Sequence, residues 1–203
     1  MTATFYFDLA SPDAYLAAER VLGELPGPAA WTPVLASGLE NGPSTGGGGV
    51  SRERVAERAR ELGLQELRWP EPFPFDSSLA MRVATYARQI GRVVPFAQAA
   101  FRQAFAGGRS LADEDSVLIA AAACEMHPAA VLAGAATRSV TAELEGATAH
   151  AREAGVRCVP AVLVPGADEG DAAEVFHGET ALALAAARMD GSPRGAGEAR
   201  ARP

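Results

Sequence analysis

Residues 4–16, TFYFDLASPDAYL, decide the reading of the whole chain. Thr4 to Leu9 is aromatic and β-prone, so it reads as a strand ending at a polar turn. Ser11-Pro12-Asp13 then supplies a helix N-cap, a proline at the first helical position and an acid in the first turn. Small or apolar residues at Tyr15, Leu16, Ala18, Val21 and Leu22 carry that helix to about Gly23. Pro26-Gly27-Pro28 breaks it, and residues 30–35, AWTPVL, read as a second strand parallel to the first. The outcome is a β-α-β unit.

Outward from this unit the composition changes. Residues 36–49 are rich in Gly, Ser, Pro and Asn, with four consecutive glycines at 46–49, and read as a loop. A helical stretch follows: 51–63, with Val55, Ala59 and Leu62 on one face, then a proline-rich link from Trp69 to Pro74. Periodicity predicts further helices near 77–91, 94–107, 113–125, 128–134 and 137–154. Val159-Pro160 leads into a strand at 161–164, an acidic turn at 165–172 leads to a second strand at 173–176, and this pair reads as a hairpin. A last helix runs from Thr180 to Met189, and the Gly/Arg/Ala-rich segment from 190 to 203 reads as a disordered tail. The order is β-α-β, many helices, then α-β-β-α. That is an α/β thioredoxin-like fold at 1–48 and 137–189, with an all-helical domain inserted at 49–136.

Composition narrows the function. The chain has 203 residues, 18 basic against 25 acidic, and a formal net charge of -7, so it has no electrostatic attraction to nucleic acid. Every basic residue is arginine. Without lysine, neither Schiff-base chemistry nor a P-loop is available. The first residues lack the basic and apolar regions of a signal peptide, and the tracts at 117–124 and 181–187 are too short to span a bilayer, so no membrane partner is expected. Cys124 and Cys158, far apart in sequence, suit a reducing compartment, and a cytoplasmic location is expected. His127, His150 and His177 have no metal-ligand spacing, so no metal is expected.

Three places carry candidate chemistry. Ser11, where the first helix begins, is placed to donate a hydrogen bond to a bound sulfur, or simply to cap the helix. Val159-Pro160 opens a strand with a residue that cannot donate to the ladder. A cis bond there turns the backbone of Val159 towards an extended ligand; an ordinary trans proline is the plainer alternative. Gly178-Glu179-Thr180 opens the last helix, where Thr180 is placed to cap it and the amides beyond could hold a carboxylate.

The combination FYFD-x-x-S-P-x-x-Y-L at 5–16, WP-x-x-FP at 69–74 and G-V-x-x-V-P at 155–160 resembles the 2-hydroxychromene-2-carboxylate isomerases and kappa-class glutathione transferases of the DsbA-like thioredoxin superfamily. The resemblance covers roughly residues 4–189. It implies Ser11 as the thiol-activating residue, Pro160 as a cis proline, and Val159 as the residue whose backbone pairs with the cysteinyl part of glutathione. It places Glu179 and Thr180 at the γ-glutamyl end. The implied cofactor is glutathione or another low-molecular-weight thiol. The implied partners are that thiol and a small electrophilic or aromatic substrate, held near Trp69 and Phe73, with a homodimer left open. Asp13, Thr180, Ala181 and Asn41-Gly42-Pro43 depart from the family pattern, and Asp13 sets a negative charge beside the expected sulfur. Cys158 reads as a structural thiol. Two other functions compete: a DsbA-type dithiol oxidoreductase, which needs an attacking cysteine where Ser11 stands, and a non-catalytic binding protein on the same scaffold.

Overall fold

The computed structural model describes residues 2–41, 51–166 and 171–191. The glycine run, the middle of the acidic turn and nearly all of the expected tail lie outside the described residues. The sheet has four strands: β1 (Ala3–Phe7), β2 (Ala29–Pro33), β3 (Ala161–Val164) and β4 (Glu174–His177). Their order is β2-β1-β3-β4. β1 runs parallel to β2, with Phe5 opposite Trp31, and antiparallel to β3, with Phe5 opposite Val162. β3 and β4 form the expected antiparallel hairpin.

Alternation along β1 divides the molecule. Phe5 and Phe7 project to one face, where both rings meet Trp31 edge-on at 4.9 and 5.8 Å. Tyr6 projects to the other face, into a smaller cluster with Val34, Val156, Val159 and Ala161. The larger core lies on the Phe5 and Phe7 side. It takes in helices α1 (Pro12–Ala18), α4 (Ser78–Gln89), α5 (Val93–Phe105) and α6 (Glu114–Ala122). Phe7 and Tyr15 both meet Phe101 of α5, and Tyr15 also stacks on Phe105 at 5.6 Å. Around these helices run α2 (Val21–Glu24), α3 (Arg52–Glu61), α7 (Pro128–Ala135), α8 (Arg138–Glu153) and α9 (Ala181–Met189). The element order expected from the sequence is the order found.

Two local expectations are corrected. The helix expected from Ser11 to Gly23 is two helices, broken at Glu19 and Arg20. At the break the Arg20 amide donates to Ala17 O at 2.9 Å instead of to Leu16 O, and the Arg20 Nε donates to the Leu16 carbonyl at 3.1 Å. Thr180 does not cap α9 with its side chain; it sits in helical conformation, and Ala181 N donates to Gly178 O. Gly178, with φ +74, makes that tight entry accessible.

Candidate functional site

The turn between β1 and α1 is built on Asp8, which is buried. Its carboxylate accepts from Ala10 N at 2.9 Å and Ala36 N at 2.8 Å, and it is also hydrogen-bonded by the Ser77 side chain. Its backbone carbonyl accepts from Ser11 N. One acid thereby ties together the end of β1, the segment leaving β2 and the start of α4. Burial raises its pKa, and the three hydrogen bonds to the charged form oppose that rise. Leu9 N is satisfied by the Met81 thioether of α4 at 3.2 Å. The turn that carries Ser11 is therefore held from several sides.

Ser11 is the N-cap of α1, as its sequence context requires. Its Oγ accepts from Ala14 N at 3.1 Å, and the residue is wholly buried at 0 % exposure. A serine hydroxyl both accepts and donates, and the Ala14 amide is not the only partner Ser11 has in the fold. The Val159–Pro160 bond is cis, as expected. So are Glu71–Pro72 and Phe73–Pro74, which the sequence reading did not single out.

The loop before β3 is pinned at three points. Arg157 N donates to His177 Nε2 at 3.1 Å, Asn41 N donates to Arg157 O at 3.0 Å, and Gly178 N donates to Pro160 O at 2.9 Å. The last of these binds the proline to the turn that carries Glu179. Cys158 is half-buried, and burial pushes its thiol up. The charge of Arg157 works against that rise, and the charge of Asp13 adds to it. Asp13 and Cys158 feel each other because the first turn of α1 and the loop before β3 share one neighbourhood. Ser11, Val159, Pro160 and the Glu179 turn are thus gathered at one end of the sheet.

The expected problem of Asp13 is partly answered by α3. Arg54 Nη2 stands 2.7 Å from Asp13 Oδ1, and its Nη1 stands 3.6 Å from Glu179. Arg58 Nε lies 2.7 Å from Glu179 Oε1, an ion pair by distance without the alignment of a good hydrogen bond. Arg20 Nη2 donates to the Glu179 carbonyl at 3.2 Å. Glu179 is therefore a matched charge, and Thr180 is exposed. The sequence reading missed Arg54 and Arg58; their i,i+4 spacing puts both on one face of α3, but nothing local shows what that face meets.

Trp69 and Phe73 meet edge-on at 5.0 Å and both rest on Phe105, forming an aromatic wall that is only part-exposed. Arg52 of α3 lies over the Trp69 ring at 5.1 Å from its centre. Among the described residues no group of three or more His, Cys, Asp or Glu could hold a metal ion, and no helix is long and apolar enough to cross a membrane.

The DSBA-like thioredoxin domain pattern matches residues 41–190. The chain belongs to the DSBA-like thioredoxin family. Solved structures agree in fold. A 2-hydroxychromene-2-carboxylate isomerase is 18% identical, with a TM-score of 0.75 over 94% of this chain and 95% of that one. A probable DsbA oxidoreductase from Streptomyces coelicolor is 18% identical, with a TM-score of 0.74 over 95% and 89%. The cytosolic disulfide reductase DsbM from Pseudomonas aeruginosa, in its structure with GSH, is 13% identical, with a TM-score of 0.61 over 87% and 89%. No curated protein sequence matches the chain. The solved structures that share this fold include an isomerase and disulfide oxidoreductases, so the fold alone leaves the reaction to the site.

Proposed function

We propose that this DSBA-like protein is a cytoplasmic, thiol-dependent isomerase or transferase of the 2-hydroxychromene-2-carboxylate isomerase kind. Its cofactor is glutathione or another low-molecular-weight thiol, and its substrate is a small electrophilic or aromatic molecule. One observation carries the reading: the residue that opens α1 is serine, where disulfide exchange would need a cysteine. Dithiol exchange needs an attacking sulfur at that position, and a hydroxyl cannot form the mixed disulfide. A hydroxyl can donate to a sulfur brought by a cofactor and favour its anion, which is the nucleophilic form. The residues present suit such a thiol. Arg54 and Arg58 offset Asp13 and Glu179, and the backbone of Val159 beside the cis proline is the docking edge. Glu179 and Thr180 form the far end of the proposed site, and the wall of Trp69 and Phe73 is the side offered to an aromatic substrate.

The test is turnover of chloronitrobenzene and hydroxychromene substrates with glutathione and a panel of other natural thiols. Ser11→Ala is expected to cut turnover at neutral pH at least tenfold while costing ~1 kcal/mol of stability, the usual worth of an N-cap. Wild-type turnover with no thiol, or an alanine variant with full activity, returns Ser11 to capping alone.

A further inference from the structure

Four arginines stand near the end of the sheet where Ser11, Val159, Pro160 and the Glu179 turn gather: Arg20, Arg54, Arg58 and Arg157. Three are already matched. Arg54 pairs with Asp13 and Glu179, Arg58 with Glu179 and Glu61, and Arg20 with Glu24. Arg157 is exposed and has no acidic partner among the described residues. Its backbone is nonetheless fixed on both sides, the amide by His177 Nε2 at 3.1 Å and the carbonyl by Asn41 N at 3.0 Å. It stands directly before Cys158 and Val159-Pro160, and its charge reaches the Cys158 thiol. A guanidinium with no acidic partner among the described residues, on an immobilised backbone beside this site, is a poor device for stability and a good one for holding an anion. Its planar fork of donors matches a carboxylate with two parallel hydrogen bonds.

We propose that Arg157 is the residue that binds a carboxylate of the thiol cofactor, and that this carboxylate, more than the rest of the molecule, selects the thiol. The inference rests on the thiol-dependent reading above and deepens it: the cofactor class becomes a low-molecular-weight thiol that also carries a carboxylate. Arg54 and Arg58 do not take this part, because a ligand carboxylate would have to displace Asp13 or Glu179 to reach them. An ammonium at position 157 keeps the charge and loses the fork, so lysine should substitute only in part.

The experiment is calorimetric titration of the wild type, Arg157→Gln and Arg157→Lys with glutathione and with glutathione diethyl ester, alongside turnover. Glutathione is expected to bind Arg157→Gln about tenfold more weakly, the loss of one charge-assisted contact, with Arg157→Lys in between. The diester should bind wild type and Arg157→Gln alike. Equal glutathione affinity for wild type and Arg157→Gln overturns the assignment and leaves the thiol-dependent reading standing. Arginine-dependent binding of glutathione without thiol-dependent turnover sinks the catalytic reading and keeps Arg157 as a carboxylate contact. Absence of any thiol binding to the wild type overturns both. Because the side chain is exposed, thermal melts of the variants should match the wild type and confirm that only binding has changed.

Discussion

His177 shows how one side chain fixes the loop before β3. It ends β4, and its Nε2 accepts the Arg157 amide, so the ring must be neutral there. Burial, and then the charge of Arg157, hold its pKa below the ordinary value of 6.5, while a backbone bond to Gly155 works the other way. The unfolded chain takes up a proton near pH 6.5 that the folded chain refuses, so unfolding binds protons. Stability from this residue is complete above pH 6.5 and is lost as the pH falls from there through the lower folded value. Urea midpoints at pH 7.5 and 5.5 should therefore drop more for the wild type than for His177→Gln, whose amide oxygen can accept the same bond without titrating. Equal drops would place the pH dependence elsewhere. In sequence, His177 was one of three histidines without ligand spacing, and only the pairing of β3 with β4 reveals what it faces. Ser11 and Pro160 were legible because each carries its signal locally, a cap before a helix and a proline before a strand. Arg54, Arg58 and Asp8 act across long loops, and no neighbouring residue announces their partners.

Among the elements, α7 shows where helical propensity and packing part company. Gly134 lies in its last turn, where alanine should favour the helix by about 1 kcal/mol. A Cβ at this position would overlap the Tyr86 ring of α4, including the ring carbon nearest its backbone, so rotation of the side chain alone cannot clear it. Overpacking of this kind costs about 1–3 kcal/mol, so Gly134→Ala should lose about 1 kcal/mol net. A raised urea midpoint for the variant would show that α4 and α7 can slide apart freely. The same contrast explains what the sequence told about elements. Strand and helix identities followed from periodicity and punctuation, and their order was found as read. The break between α1 and α2 was not visible, because no glycine or proline marks the point where the Arg20 amide turns to Ala17.

Across the whole molecule, the sheet and the inserted helices share one apolar core. Phe7 meets Phe101, Tyr15 stacks on Phe105, and Arg102 of α5 grips Glu19 at the end of α1 through Nε and Nη2, at 2.7 and 2.6 Å. The insertion is a division of the chain, and the core crosses it. The two tryptophans report on either side, Trp31 in the sheet and Trp69 in the proline-rich link. Trp69→Phe and Trp31→Phe variants, each followed by the fluorescence of the remaining indole, should unfold at midpoints that coincide with the circular-dichroism transition once each variant's own stability is allowed for. Separate transitions within one variant would mean that the helices hold together after the sheet is lost. The position of β1 has a further meaning during synthesis. It is an inner strand, made before the other three, and it can pair with β2 almost at once, yet Tyr6 must wait for Ala161 before its other edge is closed. Every helix from α3 to α8 leaves the ribosome in that interval, while an aromatic strand edge stands open beside them. A chain that stalls or is cut before β3 is a half-closed sheet, and it is the form that chaperones and proteases of the cell would be first to meet.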